Sequence, residues 1–220
     1  LAQAAKKSGI AHIVDFEFEA LKTWVKAFEM IKKNEIGRIQ HAQVTWHLQT
    51  YAHQHGLVDS WKRLPDQGGG TLNSFVSHCF YYTEKFIGPI TELSARFCDE
   101  NGNREGLDDI VQIQAVCQGK IPLTINVSAC SPSGNGHRFE IYGEKATLTL
   151  NNPARDYMNG FALYSRSQFG TSDLLLQREH APGAEPTDGR SGVVSQMVKK
   201  LGDWIENKKP QTPSLHEGAR

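Results

Sequence analysis

The chain has 220 residues, a formal net charge of zero, 39% hydrophobic and 22% charged residues. This balance excludes wholesale disorder and a long-range electrostatic pull towards nucleic acid or anionic lipid. No apolar run approaches the roughly 18 residues a membrane helix needs, so a soluble protein without nucleic-acid or membrane partners is expected.

Leu1–Lys7 reads as the tail of a helix stopped by Ser8-Gly9. Ile10–Val14 is nearly continuously apolar, which suits a strand covered on both faces as in a parallel sheet. Leu21, Trp24, Val25, Phe28 and Ile31 recur at helical spacing and predict a helix to about Lys33. Arg38–Leu48 alternates as a strand, and Gln49–Gly70 is a polar, glycine-rich loop long enough to suggest function. A second helix is predicted over Thr71–Ile87, ended by Gly88-Pro89. Strand patterns follow at Glu92–Phe97, Ile110–Cys117, Leu123–Cys130, Arg138–Tyr142, Ala146–Leu150, Phe161–Tyr164 and Leu174–Arg178. Turn signals such as Gln118-Gly119 and Gly143-Glu144 separate them, so neighbours pair antiparallel. A third helix over Val193–Asn207 carries Val194, Met197, Val198, Leu201, Trp204 and Ile205 on one side. The fold class is therefore α+β, with helices covering one face of an antiparallel-paired sheet, its other face solvated or buried on a partner. Cys79, Cys98, Cys117 and Cys130 form no C-x-x-C pair and read as buried, reduced thiols of a cytoplasmic protein.

Chemistry concentrates in Gly68-Gly69-Gly70 and the helix after it. At 100° per residue, Leu72, Phe75, Val76, Cys79, Thr83 and Phe86 share a buried side, while Ser74, His78, Tyr81 and Lys85 form a strip facing solvent or a cleft. The glycines let backbone approach that cleft, and the helix start offers N–H donors. His78 titrates near neutrality and can move a proton from a substrate hydroxyl; a surface histidine is the plainer reading. The Ser74–His78 spacing also fits a hydrolase, but no G-x-S-x-G elbow accompanies it. His53-Gln54-His55 lacks the spacing of a metal site and reads as loop histidines, so no metal is expected. Trp61 beside Lys62 and Arg63 fits either a wall for a sugar or phosphate, or a pin for the loop. No G-x-G-x-x-G phosphate loop precedes a helix.

The glycine triplet with His78 resembles the glucose–fructose oxidoreductase/inositol dehydrogenase (Gfo/Idh/MocA) family, as do Val14–Phe18, Asp108-Asp109-Ile110, Phe139–Leu148 and Pro213–Gly218. The resemblance implies an N-terminal Rossmann domain that binds NAD or NADP, with residues 1–15 its last helix-strand remnant, and 16–220 a substrate-binding and oligomerising domain built on a large open, mostly antiparallel sheet with helices on one face. It implies a sugar, inositol or related polyol or carbonyl substrate, and a homodimer or homotetramer formed through the open sheet face. His78 takes the catalytic position, with Ser74, Trp61 and Arg63 as candidate substrate contacts. The cofactor-binding residues are expected before Leu1, so the fragment alone should be inactive. Two departures stand out: Ser74 replaces the family's helix aspartate, and Glu19 replaces an arginine common after the linking strand. A non-catalytic relative that binds a nucleotide or partner protein is the alternative reading.

Overall fold

Strand β1, Ile39–His47, sits at the centre of the molecule because Ala42, Val44 and Trp46 alternate inward and are buried. The computed structural model describes residues 1–103, 108–154, 156, 158–167, 170, 172–176 and 188–219. The other strands are β2 (Ile90–Cys98), β3 (Ile110–Cys117), β4 (Ile121–Ser128), β5 (Gly136–Gly143), β6 (Ala146–Asn152), β7 (Ala162–Ser167) and β8 (Ser172–Leu176). They form one sheet in the order β2-β3-β4-β1-β5-β6-β7-β8. Residues 177 and 178 of the last expected strand lie outside the described residues. The short turns require β3–β4 and β5–β6 to pair antiparallel, and all other pairs are antiparallel as well except β1 with β4. Those two are far apart in sequence, so no turn constrains their direction.

Val44 lies opposite both Ile125 and Phe139, Ile125 opposite Ile113, and Phe139 opposite Leu150, giving one apolar face. Helices α2 (Lys22–Lys32) and α4 (Ser77–Ile87) contribute Trp24, Tyr82 and Phe86 to the core on this face. Trp24 lies 4.8 Å from Tyr82 and 5.3 Å from Phe161, ring centre to ring centre. The opposite face carries polar side chains, among them Gln112, Gln114, Thr124 and Arg138.

The ends of the chain differ from the sequence expectations. Helix α1, Ala2–Ser8, is capped by Gly9 as predicted. Ile10–Val14, however, is not a strand: Ile10 is 57% exposed, and the run's interstrand-like contact is Val14 N–H to Pro213 O at 3.0 Å. The flanking strands that a two-sided apolar run needs are absent among the described residues. Helix α5, Arg190–Asn207, is rotated from its expected face: Val193 and Met197 are buried, while Val198 and Ile205 are exposed. The loop of residues 49–70 contains short helical turns, α3 (Tyr51–Gln54) and 3₁₀ turns at Trp61–Arg63 and Pro65–Gln67. A four-residue helix α6, Leu215–Gly218, lies against α1. No described helix is long and apolar enough to cross a membrane.

Candidate active site

His78 stands on the first turn of α4, with its ring edge-on to Phe16 at 5.3 Å and to Phe18 at 5.6 Å. Its side chain keeps 18% of its surface. Nδ1 lies 3.5 Å from Oε2 of Glu17, and neither atom has a hydrogen-bond partner. Glu17 opens a 3₁₀ turn, Glu17–Ala20, between the two phenylalanines. Burial pulls the imidazole down to about 4. Burial also pushes the Glu17 carboxyl up to about 8, its own backbone and Arg190 acting against that and Asp15 with it. Between those values the imidazole is neutral and faces a protonated carboxyl. Asp15, Glu17, His78, Asp188, Arg190, Ser191 and Val194 line a mouth of about 500 Å³. The imidazole is thus walled by rings yet open to a polar cleft.

Residues 72–76 are wound as a π-helix rather than an α-helix. The wider turn breaks the single strip expected at 100° per residue. Ser74 does not share the mouth with His78; it lines a neighbouring cavity of about 510 Å³ together with Trp61 and Arg63. Arg190 borders both spaces.

Two of the three glycines, Gly69 and Gly70, serve internal packing. A Cβ on Gly69 would sit 2.1 Å from Trp61 O, and one on Gly70, at φ +92°, 2.2 Å from Asp108 Oδ1. The helix-start donors are occupied as well: Thr71 N–H and Leu72 N–H donate to the Asp108 carboxylate at 3.0 and 2.7 Å. An anion site at this helix start is therefore already filled from within the chain. Gly70→Ala should lower stability by about 1–3 kcal/mol or more, from strained backbone plus overlap with Asp108. Gly68→Ala, at φ +80° with no atom within 4 Å of its Cβ, should lose less. Equal shifts of the urea midpoint would show that the Asp108 overlap is immaterial.

The second cavity is held by a buried network. His53 Nε2 meets Asp109 Oδ1 at 2.7 Å, and Thr50 Oγ1 lies 2.7 Å from His53 Nδ1. Arg63 donates to Asp109 Oδ2 at 3.3 Å and to Glu100 at 3.4 Å. Arg63 thus pins the loop through Nη2, while its buried Nε has no hydrogen-bond partner. Burial alone would raise the Asp109 carboxyl, but the His53 bond, with Arg63 and the Glu100 N–H, holds it below the usual range. His55 instead packs on Tyr51, ring centres 4.1 Å apart. Trp61 remains 54% exposed, a flat wall available to a ligand.

Glu19, the charge-reversed position, is accommodated. Its carboxylate is buried and accepts from Tyr81, Lys85 and Lys200, so three donors join the linking segment to α4 and α5. Burial would raise its carboxyl, but these partners outweigh it and hold it low. Glu17 was not singled out from the sequence. Its available signal was an acid between two aromatics, Phe16-Glu17-Phe18, where burial of both rings constrains the carboxyl's surroundings.

The description "GFO/IDH/MocA C-terminal domain" matches residues 24–149, more than half of the chain. The chain belongs to the Gfo/Idh/MocA family. An uncharacterized oxidoreductase from Synechocystis sp. is 27% identical over 231 residues, covering 99% of this chain and 62% of the relative. Levoglucosan dehydrogenase in complex with NADH and levoglucosan superposes with a TM-score of 0.77 at 16% identity, covering 98% of this chain and 62% of that one. A super-repressor mutant of Gal80p from Saccharomyces cerevisiae gives 0.77 at 16%, covering 99% and 62%. At these identities the two structures show the Gfo/Idh/MocA fold alone. The chain spans 62% of the length of each of the three.

Proposed function

We propose that this chain is the substrate-binding part of an NAD(P)-dependent oxidoreductase acting on a sugar, inositol or related polyol or carbonyl compound. The observation that carries this reading is a neutral imidazole, His78, held at the edge of a polar mouth. Such a group takes the proton of a substrate hydroxyl or returns it to a carbonyl. Levoglucosan dehydrogenase, with its bound NADH and sugar, supports the substrate class and cofactor.

The residues at the mouth fit the reactive end of a nicotinamide dinucleotide. Two buried polar atoms lack partners there, and Arg190 and Ser191 form part of the rim. When bound, the dinucleotide supplies the hydride acceptor or donor. Its phosphates find no cradle at the glycine triplet, where Asp108 fills the helix start. They are assigned to a Rossmann domain of which residues 1–15 form the end, with 16–220 as the substrate domain. The apolar, exposed Ile10 supports that boundary. Trp61 and Ser74 are proposed as walls of the substrate space, and Arg63 as the residue that fixes Trp61's loop. The polar outer sheet face is proposed as the contact between copies in a homodimer or homotetramer. The four free thiols fit a cytoplasmic location.

The test is to offer the full-length protein NAD⁺ and NADP⁺ with a panel of sugars, inositols and other polyols. The expected result is reduced nicotinamide formed with at least one member, with deuterium carried from the substrate carbon. A second reading, a relative that binds nucleotide or a partner protein without turnover, draws on Ser74 in place of the aspartate and on the Gal80p likeness. Dinucleotide binding with no turnover across the panel would select it.

A further inference from the structure

We propose that Glu17 is the proton-sharing partner of His78, a positioning residue that completes the relay in place of the helix aspartate missing at position 74. This rests on His78 being the proton-transfer residue. Four observations place it there. Glu17 Oε2 and His78 Nδ1 approach to 3.5 Å. Both atoms are buried without a hydrogen-bond partner, so each is the nearest polar recourse of the other. Phe16 and Phe18 pack edge-on against the imidazole, and their low polarity strengthens the interaction between the two groups. Ser74 lines the other cavity and not the mouth that His78 and Glu17 share, so the π-wound turn removes it from this role.

The relay balances as follows. In oxidation Glu17 starts as carboxylate and His78 carries its proton on Nδ1. The substrate hydroxyl gives its proton to His78 Nε2 as the carbinol carbon gives its hydride to the oxidised nicotinamide. The Nδ1 proton passes to Glu17 Oε2. The products are a carbonyl compound, reduced nicotinamide, a neutral imidazole and a neutral carboxylic acid. Reduction runs the same transfers backwards and needs Glu17 protonated at the outset. The surrounding charges are few and specific. From the linking segment come Asp15 and Glu19, the latter neutralised by Lys85 and Lys200; from the start of α5 come Asp188 and Arg190; from β5 comes the buried His137, bonded to Tyr82 of α4 at 2.9 Å. Tyr81 of α4 is turned to Glu19.

A pH signature follows. Oxidation should rise, and reduction fall, as pH passes through about 8, where Glu17 ionises. Glu17→Gln keeps the shape and removes the acid. In the full-length protein it should lower kcat for oxidation by about 10–100-fold with little change in KM, and flatten that limb in both directions. A second readout needs no turnover. In the 220-residue chain, the NMR shifts of the His78 ring should inflect near pH 8 in the wild type and lose that inflection in Glu17→Gln. If Glu17→Gln fails to fold, Glu17→Asp is used: it should keep an inflection at a displaced pH while kcat falls. An inflection that is absent from the wild type, or that persists unaltered in the variant, overturns the inference. Loss of turnover in His78→Ala with an unchanged rate and profile in Glu17→Gln does so too, while leaving the oxidoreductase reading standing. Silence of the whole substrate panel, with the ring inflection behaving as expected, removes that reading and keeps the pair.

Discussion

Replacing His78 by alanine in the full-length protein lowers kcat by about 10²–10⁴-fold, the range a positioned acid or base contributes. The fold survives the change. Nδ1 has no hydrogen bond to lose, and the side chain is not fully buried, so the loss is its packing on Phe16 and Phe18 and the 3.5 Å approach to Glu17. That cost is on the order of 1 kcal/mol, within the ordinary range for single substitutions. Rate and stability therefore separate in this variant. Steady-state rates in both directions, alongside a urea titration, check it; a variant that turns over at the wild-type rate removes His78 from the chemistry.

Asp109→Ala has the opposite profile, with a large effect on stability. Asp109 meets His53 and Arg63 in a site where its own side chain and theirs are about 5–6% exposed. Removing the carboxylate leaves the Arg63 guanidinium buried, with Glu100 at 3.4 Å on the solvent side as its remaining acid. Breaking such a pair from one end costs about 3–5 kcal/mol. Acid should mimic it in part. The Asp109 carboxyl is held below its usual value, so its contribution is present above the unfolded value near 3.8 and is lost as pH falls through the folded one. The urea midpoint of the variant should drop sharply at neutral pH and respond less to acid than the wild type. An unfolding free energy within about 1 kcal/mol of wild type would show that residues 50–63 are anchored elsewhere.

Local pattern made most of the architecture readable from sequence. The spacing of Leu21, Trp24, Phe28 and Ile31 gave α2, and alternation in Ile110–Cys117 gave β3 to the residue. The readings that failed depend on contacts made at a distance. The parallel β1–β4 pair has no turn to announce it. Ile10–Val14 has strand composition without strand neighbours among the described residues, because pairing is a property of two segments. For the site, His78 was visible through its glycine-led helix, whereas the meaning of the glycines was not: Asp108, distant in sequence, decides what they accommodate. Ser74 was grouped with His78 because a regular winding was assumed, and the π turn separates them. Glu17 escaped attention since a lone acid in a linker carries no spacing signal, and its partner lies on another element.

The central position of β1 also sets the order in which the polypeptide can assemble. Its two sheet neighbours, β4 and β5, are synthesised long after it. A chain emerging from the ribosome therefore carries Ala42–Val44–Trp46 as an unpaired apolar ribbon until residues 121–143 arrive to flank it on both sides. Closure of such distant pairings is slow, and the waiting ribbon is the segment for which a holding chaperone would compete during translation.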